Sequence, residues 1–125
     1  MKILITISIS VIIMCYIVAQ PIYRPITTVA SWYGGKADGL VGKLTASGEP
    51  LDDKALTCAM WGFPFGTKIK VTLVGSNRSV ICRVNDRGPN RKKYPERGID
   101  LTKAAFSRLA HPSAGLITVK LEVVK

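Results

Sequence analysis

Histidine is nearly absent: His111 is the only one in 125 residues. No cluster of ligand-type side chains surrounds it, so neither a metal nor another cofactor is expected. Cysteine is scarce too, with only Cys15, Cys58 and Cys82. Lacking a second histidine and any Gly-x-Ser-x-Gly elbow, the chain has no parts for the usual His-assisted nucleophiles. Acidic residues are few: eight Asp and Glu face 18 Lys and Arg, for a formal charge of +10. Such an excess suits a polyanionic partner, whether nucleic acid, anionic lipid or an acidic wall. Beyond the first nineteen residues no long apolar run exists, which excludes a multi-pass membrane protein. Apolar residues are nonetheless spread along the length, which excludes a disordered tail. No internal repeat is visible, and the length suits a single small domain.

What is there begins with a compartment signal. Lys2 precedes the apolar stretch Ile3 to Ala19, which ends on a small residue. Residues 1–19 therefore read as a secretory signal peptide, with an uncleaved anchor as the alternative. Lipid attachment at Cys15 is disfavoured by the bulky Met14 before it. After cleavage no stable membrane insertion is expected, and the protein works in the periplasm or outside the cell. Export makes nucleic acid a poor partner. No Lys/Arg cluster interleaves with aromatics as single-strand binders require. Cys58 and Cys82 remain as an even pair in an oxidising space. They read as a disulfide, with two buried free thiols as the alternative.

Residues 20–27 hold Pro21 and Pro25 and read as an extended lead-in, leaving 28–125 as the folded domain. Thr27 to Tyr33 reads as a strand. Glycines 34, 35, 39, 42 and 48 then demand a long loop. Lys68 to Leu73 alternates apolar and polar, and Val80, Cys82 and Val84 line one face of another strand. Gly75-Ser76-Asn77 joins the two as a hairpin. Asn85 to Tyr94 reads as a loop, and Ile99 to Leu101 as a short strand. Thr102 is placed to cap a helix that runs to Pro112, with Leu101 and Phe106 as a hydrophobic staple. Ile117 to Val123 alternates again. Four or five strands with one short helix fit a mostly-β barrel, which leaves no sheet edge open.

With nucleophiles missing, carboxylates are the available catalytic tool, and paired acids are the usual means of breaking a glycosidic bond. Glu49 lies in the glycine-rich loop and Asp86 beside Arg87. Each also has a plain reading: Glu49 as a surface residue, Asp86 as the acceptor of its own turn. Trp32, Tyr33 and Trp61 suit either sugar stacking or the core. Arg91-Lys92-Lys93 reads as a solvated charge run that a polyanionic glycan could use. His111 sits at a helix end, where a cation is favourable. Asp100 reads as a backbone acceptor ahead of the helix.

Several segments, in order, resemble one family: Ala30-Ser31-Trp32-Tyr33-Gly34, Thr45-Ala46-Ser47-Gly48-Glu49, Leu56-Thr57-Cys58-Ala59, Pro64-Phe65-Gly66-Thr67, Arg83-Val84-Asn85-Asp86-Arg87-Gly88-Pro89 and Ile99-Asp100-Leu101. The chain from about Val29 to Val124 is similar to the RlpA-like (rare lipoprotein A) proteins. The resemblance implies a six-stranded double-psi β-barrel, a barrel shared with expansins. It implies a peptidoglycan lytic transglycosylase that cuts between N-acetylmuramic acid and N-acetylglucosamine and leaves a 1,6-anhydro end. Asp86 and Glu49 become the catalytic acids, with Asp86 the preferred acid/base. Trp32, Tyr33, Ser47, Asn85, Arg87 and Met60 become groove residues. Met60 stands where the family commonly has a histidine, and Asn90-Arg91-Lys92-Lys93-Tyr94 is more basic than usual. The expected partner is the glycan strand, met by a monomer. The alternatives are a non-catalytic expansin-like wall-binding or wall-loosening module, and a secreted effector or inhibitor that uses the barrel as a scaffold.

Overall fold

The computed structural model describes residues 24–125. The expected signal peptide and Cys15 lie outside them. Six strands close into a barrel: β1 (Ile26–Tyr33), β2 (Thr57–Ala59), β3 (Lys68–Leu73), β4 (Ser79–Asp86), β5 (Arg97–Thr102) and β6 (Ile117–Val123). Around the ring the order is β1-β5-β2-β4-β3-β6. The pairs β1/β5 and β2/β4 are parallel and the other four antiparallel. Parallel neighbours need long crossovers. The glycine-rich segment after β1 and the loops after β2 and β4 supply the chain for them.

Period-2 patterning fills the interior. Ile69 and Val71, Val80, Cys82 and Val84, Ile99 and Leu101, and Val119 and Leu121 all point inward and are buried. Among the described residues no helix is long and apolar enough to cross a membrane.

Several boundaries differ from the expectation, and one strand, β2, is additional to it. β1 opens at Ile26, inside the expected lead-in of 20–27, because β6 pairs with it as far as Leu121. β2 has only three residues, too short to show any periodicity. β4 runs on through Asp86, so Asn85 and Asp86 belong to a strand rather than a loop. The helix α1 covers only Lys103–Ser107. Thr102 caps it, its hydroxyl accepting from Ala105 N at 3.3 Å. At Arg108 and Leu109 the bonds tighten to the carbonyls three residues back. Pro112 then opens a short 3-10 turn capped by His111, whose Nδ1 accepts from Ser113 N. His111 thus caps this turn through its side chain.

Candidate active site

The site lies on the outer face of the barrel. Cys58, Val84 and Leu101 face the core, so their strand neighbours turn outward. Ser31 on β1 is registered with Asp100 on β5, Asp100 with Ala59 on β2, and Ala59 with Asp86 on β4. A row across four strands therefore carries two carboxylates on either side of one alanine. Two strand spacings put their backbones about 10 Å apart.

Asp86 reaches this row through an irregularity. Simple alternation would send it inward with Val84. The β2/β4 register shifts between Cys58 and Ala59, so that Cys58 meets Val84 but Ala59 meets Asp86. The extra residue on β4 is Asn85. A bulge of this kind re-aims a side chain, and here it delivers Asp86 to the surface.

Once there, Asp86 accepts three hydrogen bonds. Oδ1 takes Ala46 N and Arg87 N, each at 2.9 Å, and Oδ2 takes the Tyr33 hydroxyl at 3.1 Å. The Tyr33 phenol is pushed far above its ordinary range, first by burial and then by the charge of Asp86. It therefore stays a donor. Tyr33, Asp86 and the exposed side chains Leu40 and Leu44 wall a small hollow of about 50 Å³.

Asp100 is half-buried and accepts from the Ser31 hydroxyl. Its carboxyl is raised above the usual aspartate value, chiefly by burial and further by Asp86, against the lowering effects of Ser31 and Arg97. Two neighbouring acids in different environments, one accepting three donors and one desolvated, is the arrangement that separates a base from an acid. Gly88 closes the space beside them. A Cβ there would stand 3.3 Å from Asp100 Oδ2 and 3.4 Å from Ala59 Cβ.

Glu49 is placed elsewhere. Arg83 grips it with both nitrogens, Nη1 to Oε1 at 2.5 Å and Nη2 to Oε2 at 2.9 Å. This pair lines a hollow of about 430 Å³ with Asp52, Thr57 and Asn85. Its carboxyl is held below the usual glutamate value by the Arg83 hydrogen bonds. Glu49 and Asp86 thus line different hollows, joined through the tight turn at Thr45–Glu49. Ala46 of that turn donates to Asp86, and Ser47 Oγ donates to Glu49 Oε1 at 3.4 Å.

The remaining expected groove residues divide. Tyr33 sits in the site. Ser47 braces the turn, its N–H donating to Asn85 O at 3.1 Å. Arg87 flanks the site, with Nη1 on Met60 O at 2.9 Å and its guanidinium 4.0 Å from the Phe65 ring centre. The Met60 side chain instead is buried in the core and lines a separate apolar hollow with Phe63, Ile69 and Leu121. Only its backbone touches the site, with its N–H donating to Asp86 O at 3.1 Å. Asn85 is buried, and its Oδ1 has no partner. Trp32 is a packing residue: its Nε1 donates to Pro112 O at 2.9 Å and its ring leans on Phe106. Reading along the chain missed Asp100 as a site residue. The only available signal was the alternation around core-facing Ile99 and Leu101, which turns Asp100 outward. Among the described residues no group of three or more His, Cys, Asp or Glu is placed to hold a metal.

Cys58 and Cys82 stand side by side in the core with sulfurs 3.0 Å apart as thiols. The Cys58 thiol is pushed up by its hydrogen bond to Cys82 and by burial.

Comparison with known proteins agrees with this architecture. The profile of a family described as lytic transglycolase matches residues 26–121. The chain is 44% identical over 96 residues to the endolytic peptidoglycan transglycosylase RlpA of Rickettsia felis, covering 77% of this chain and 41% of that protein. It is 42% identical over 100 residues to the protein of the same name from Pseudomonas aeruginosa, covering 80% and 27%. The chain thus spans less than half the length of either relative. Among solved structures, a Streptomyces papain inhibitor superposes with a TM-score of 0.64 at 24% identity, over 84% of this chain and 98% of that one. An expansin of Clavibacter michiganensis gives 0.59 at 23%, over 82% and 51%. At such identities the structural likeness speaks for the fold alone.

Proposed function

Because this chain belongs to the lytic transglycolase family of double-psi β-barrels, we propose that it cleaves peptidoglycan glycan strands outside the cytoplasm. The bond is the one between N-acetylmuramic acid and N-acetylglucosamine, and the product is a 1,6-anhydro end. The observation that carries this reading is the registered pair Asp86 and Asp100 flanking Ala59. Asp100, whose burial favours its protonated form, donates a proton to the leaving oxygen of N-acetylglucosamine as its bond to the muramic anomeric carbon breaks. Asp86, fixed by three donors, takes the proton of the muramic 6-hydroxyl as that oxygen bonds to the anomeric carbon. One bond breaks, one forms, and no water is consumed. Proton return from Asp86 to Asp100 resets the pair.

Glu49 acts at one remove. Its clamp on Arg83 anchors the turn whose Ala46 N–H orients Asp86, which makes Glu49 a positioning residue. The test is digestion of purified sacculi by the full chain, with products read by mass. Muropeptide ends lighter by one water than the hydrolytic product support the reading. If no soluble product forms while salt-sensitive pelleting with sacculi persists, the protein is a wall-binding module of the expansin kind instead.

A further inference from the structure

Beside the acid pair lies a second hollow, of about 470 Å³, lined by Trp61, Arg87, Gly88, Asn90, Arg91 and Lys92. Three of its six lining residues are cations and none is an acid. Neither ion pair found among the described residues uses them; those are Arg83–Glu49 and Lys120–Glu122. The Arg91 guanidinium stands 5.0 Å from the centre of the Trp61 ring. Cation–π contact of this kind orients the guanidinium. The indole is itself fixed by its Nε1 bond to Pro89 O at 2.8 Å, yet stays 39% exposed. Asn90 Oδ1 accepts from both Lys92 N and Lys93 N, at 3.1 and 3.0 Å, and shapes the loop that presents the cations. An exposed indole suits a sugar face, and unpaired guanidinium and ammonium groups suit a carboxylate.

Gly88 belongs to this hollow and also abuts Asp100, so whatever fills it lies next to the bond-breaking site. We propose that the Trp61–Arg91–Lys92 hollow is a subsite for a carboxylate-bearing sugar unit neighbouring the scissile linkage. The inference deepens the proposed function and rests on it for the identity of the strand. Two sources offer that chemistry: the lactyl carboxylate of muramic acid, free where the peptide has been removed, and the free carboxylates of peptides where they are attached.

The experiment measures binding without turnover, in the full chain carrying Asp86→Asn. Three soluble polymers are compared: neutral N-acetylglucosamine oligomers, glycan strands stripped of peptides, and glycan strands bearing them. The double variant Arg91→Gln, Lys92→Gln changes exposed side chains only. It is expected to lower affinity for carboxylated strands about tenfold and to leave the neutral oligomers unchanged. Loss on the stripped strands alone assigns the lactyl group, loss on the peptide-bearing strand alone assigns the peptide, and loss on both means that the subsite takes either carboxylate. Equal loss on all three polymers, or no loss on any, overturns the subsite. Failure of the parent protein to cut sacculi, with the differential binding intact, would instead remove the proposed chemistry and leave the subsite standing.

Discussion

Asp86 and Asp100 meet in register across Ala59, on two strands that are not themselves bonded to each other. Asparagine at either position keeps the shape and would remove the proposed proton transfer. Each single change is expected to lower turnover on sacculi by about 100-fold or more. Release of anhydro-ended products per unit time measures it.

The raised carboxyl of Asp100 sets the pH dependence. In the proposed reaction Asp100 donates the proton, so the rate is expected to fall as pH rises through its raised value, above the ordinary aspartate range. Linkage gives the matching stability effect. A carboxyl whose folded value is raised contributes stability below its unfolded value and loses it as pH climbs through the folded one. Above that raised value charged Asp100 is therefore a cost to the fold. Asp100→Asn should melt at or above the parent temperature there while losing activity, which thermal unfolding and the product assay read together.

Tyr33→Phe removes one of the three donors on Asp86. Turnover should drop about tenfold, the worth of one hydrogen bond to a charged group. No alkaline limb from the phenol is expected, since burial and Asp86 hold it neutral well above the working range. A full pH profile of the variant against the parent checks both.

Glu49→Gln and Arg83→Gln should have similar, partial effects on activity, because each releases the same clamp. If Glu49 carried the proton itself, its variant alone would fall as far as Asp86→Asn. The depressed carboxyl of Glu49 also means that the anchor is present above the unfolded glutamate value. It is lost as pH falls through the lowered folded value. Salt weakens it, the carboxylate being 45% exposed.

The Cys58 and Cys82 thiols are in contact across 24 residues of sequence. In an oxidising compartment the pair is expected to close to a disulfide, its two hydrogens and electrons passing to an external oxidant such as molecular oxygen, with an intact mass lower by two hydrogens. A closed loop of that length adds about 3 kcal/mol in the chain-entropy account. Denaturant midpoints with and without reductant measure the gain.

Much of the barrel was legible in the chain. Lys68–Leu73, Ser79–Val84 and Ile117–Val123 alternate cleanly because each has one buried face. β2 was hidden, because three residues carry no period. The site was half legible. Asp86 stands out beside Arg87 in the sequence, but its outward aim depends on a register shift at Asn85 that no local pattern encodes. Asp100 looks like a helix-entry residue until β1 and β2 are set on either side of it. Resemblance alone places Glu49 and Met60 in the groove. Tertiary contacts give the first to Arg83 and bury the side chain of the second beside Phe63 and Ile69.

Ring closure has a kinetic corollary. Every strand of the closed ring is flanked on both sides, β4 by β2 and β3 and β5 by β1 and β2. Neither can fray without breaking two ladders. Amide protons along both strands should therefore exchange with deuterium only through whole-molecule opening, leaving Asp86 and Asp100 seated on segments that the closed ring protects.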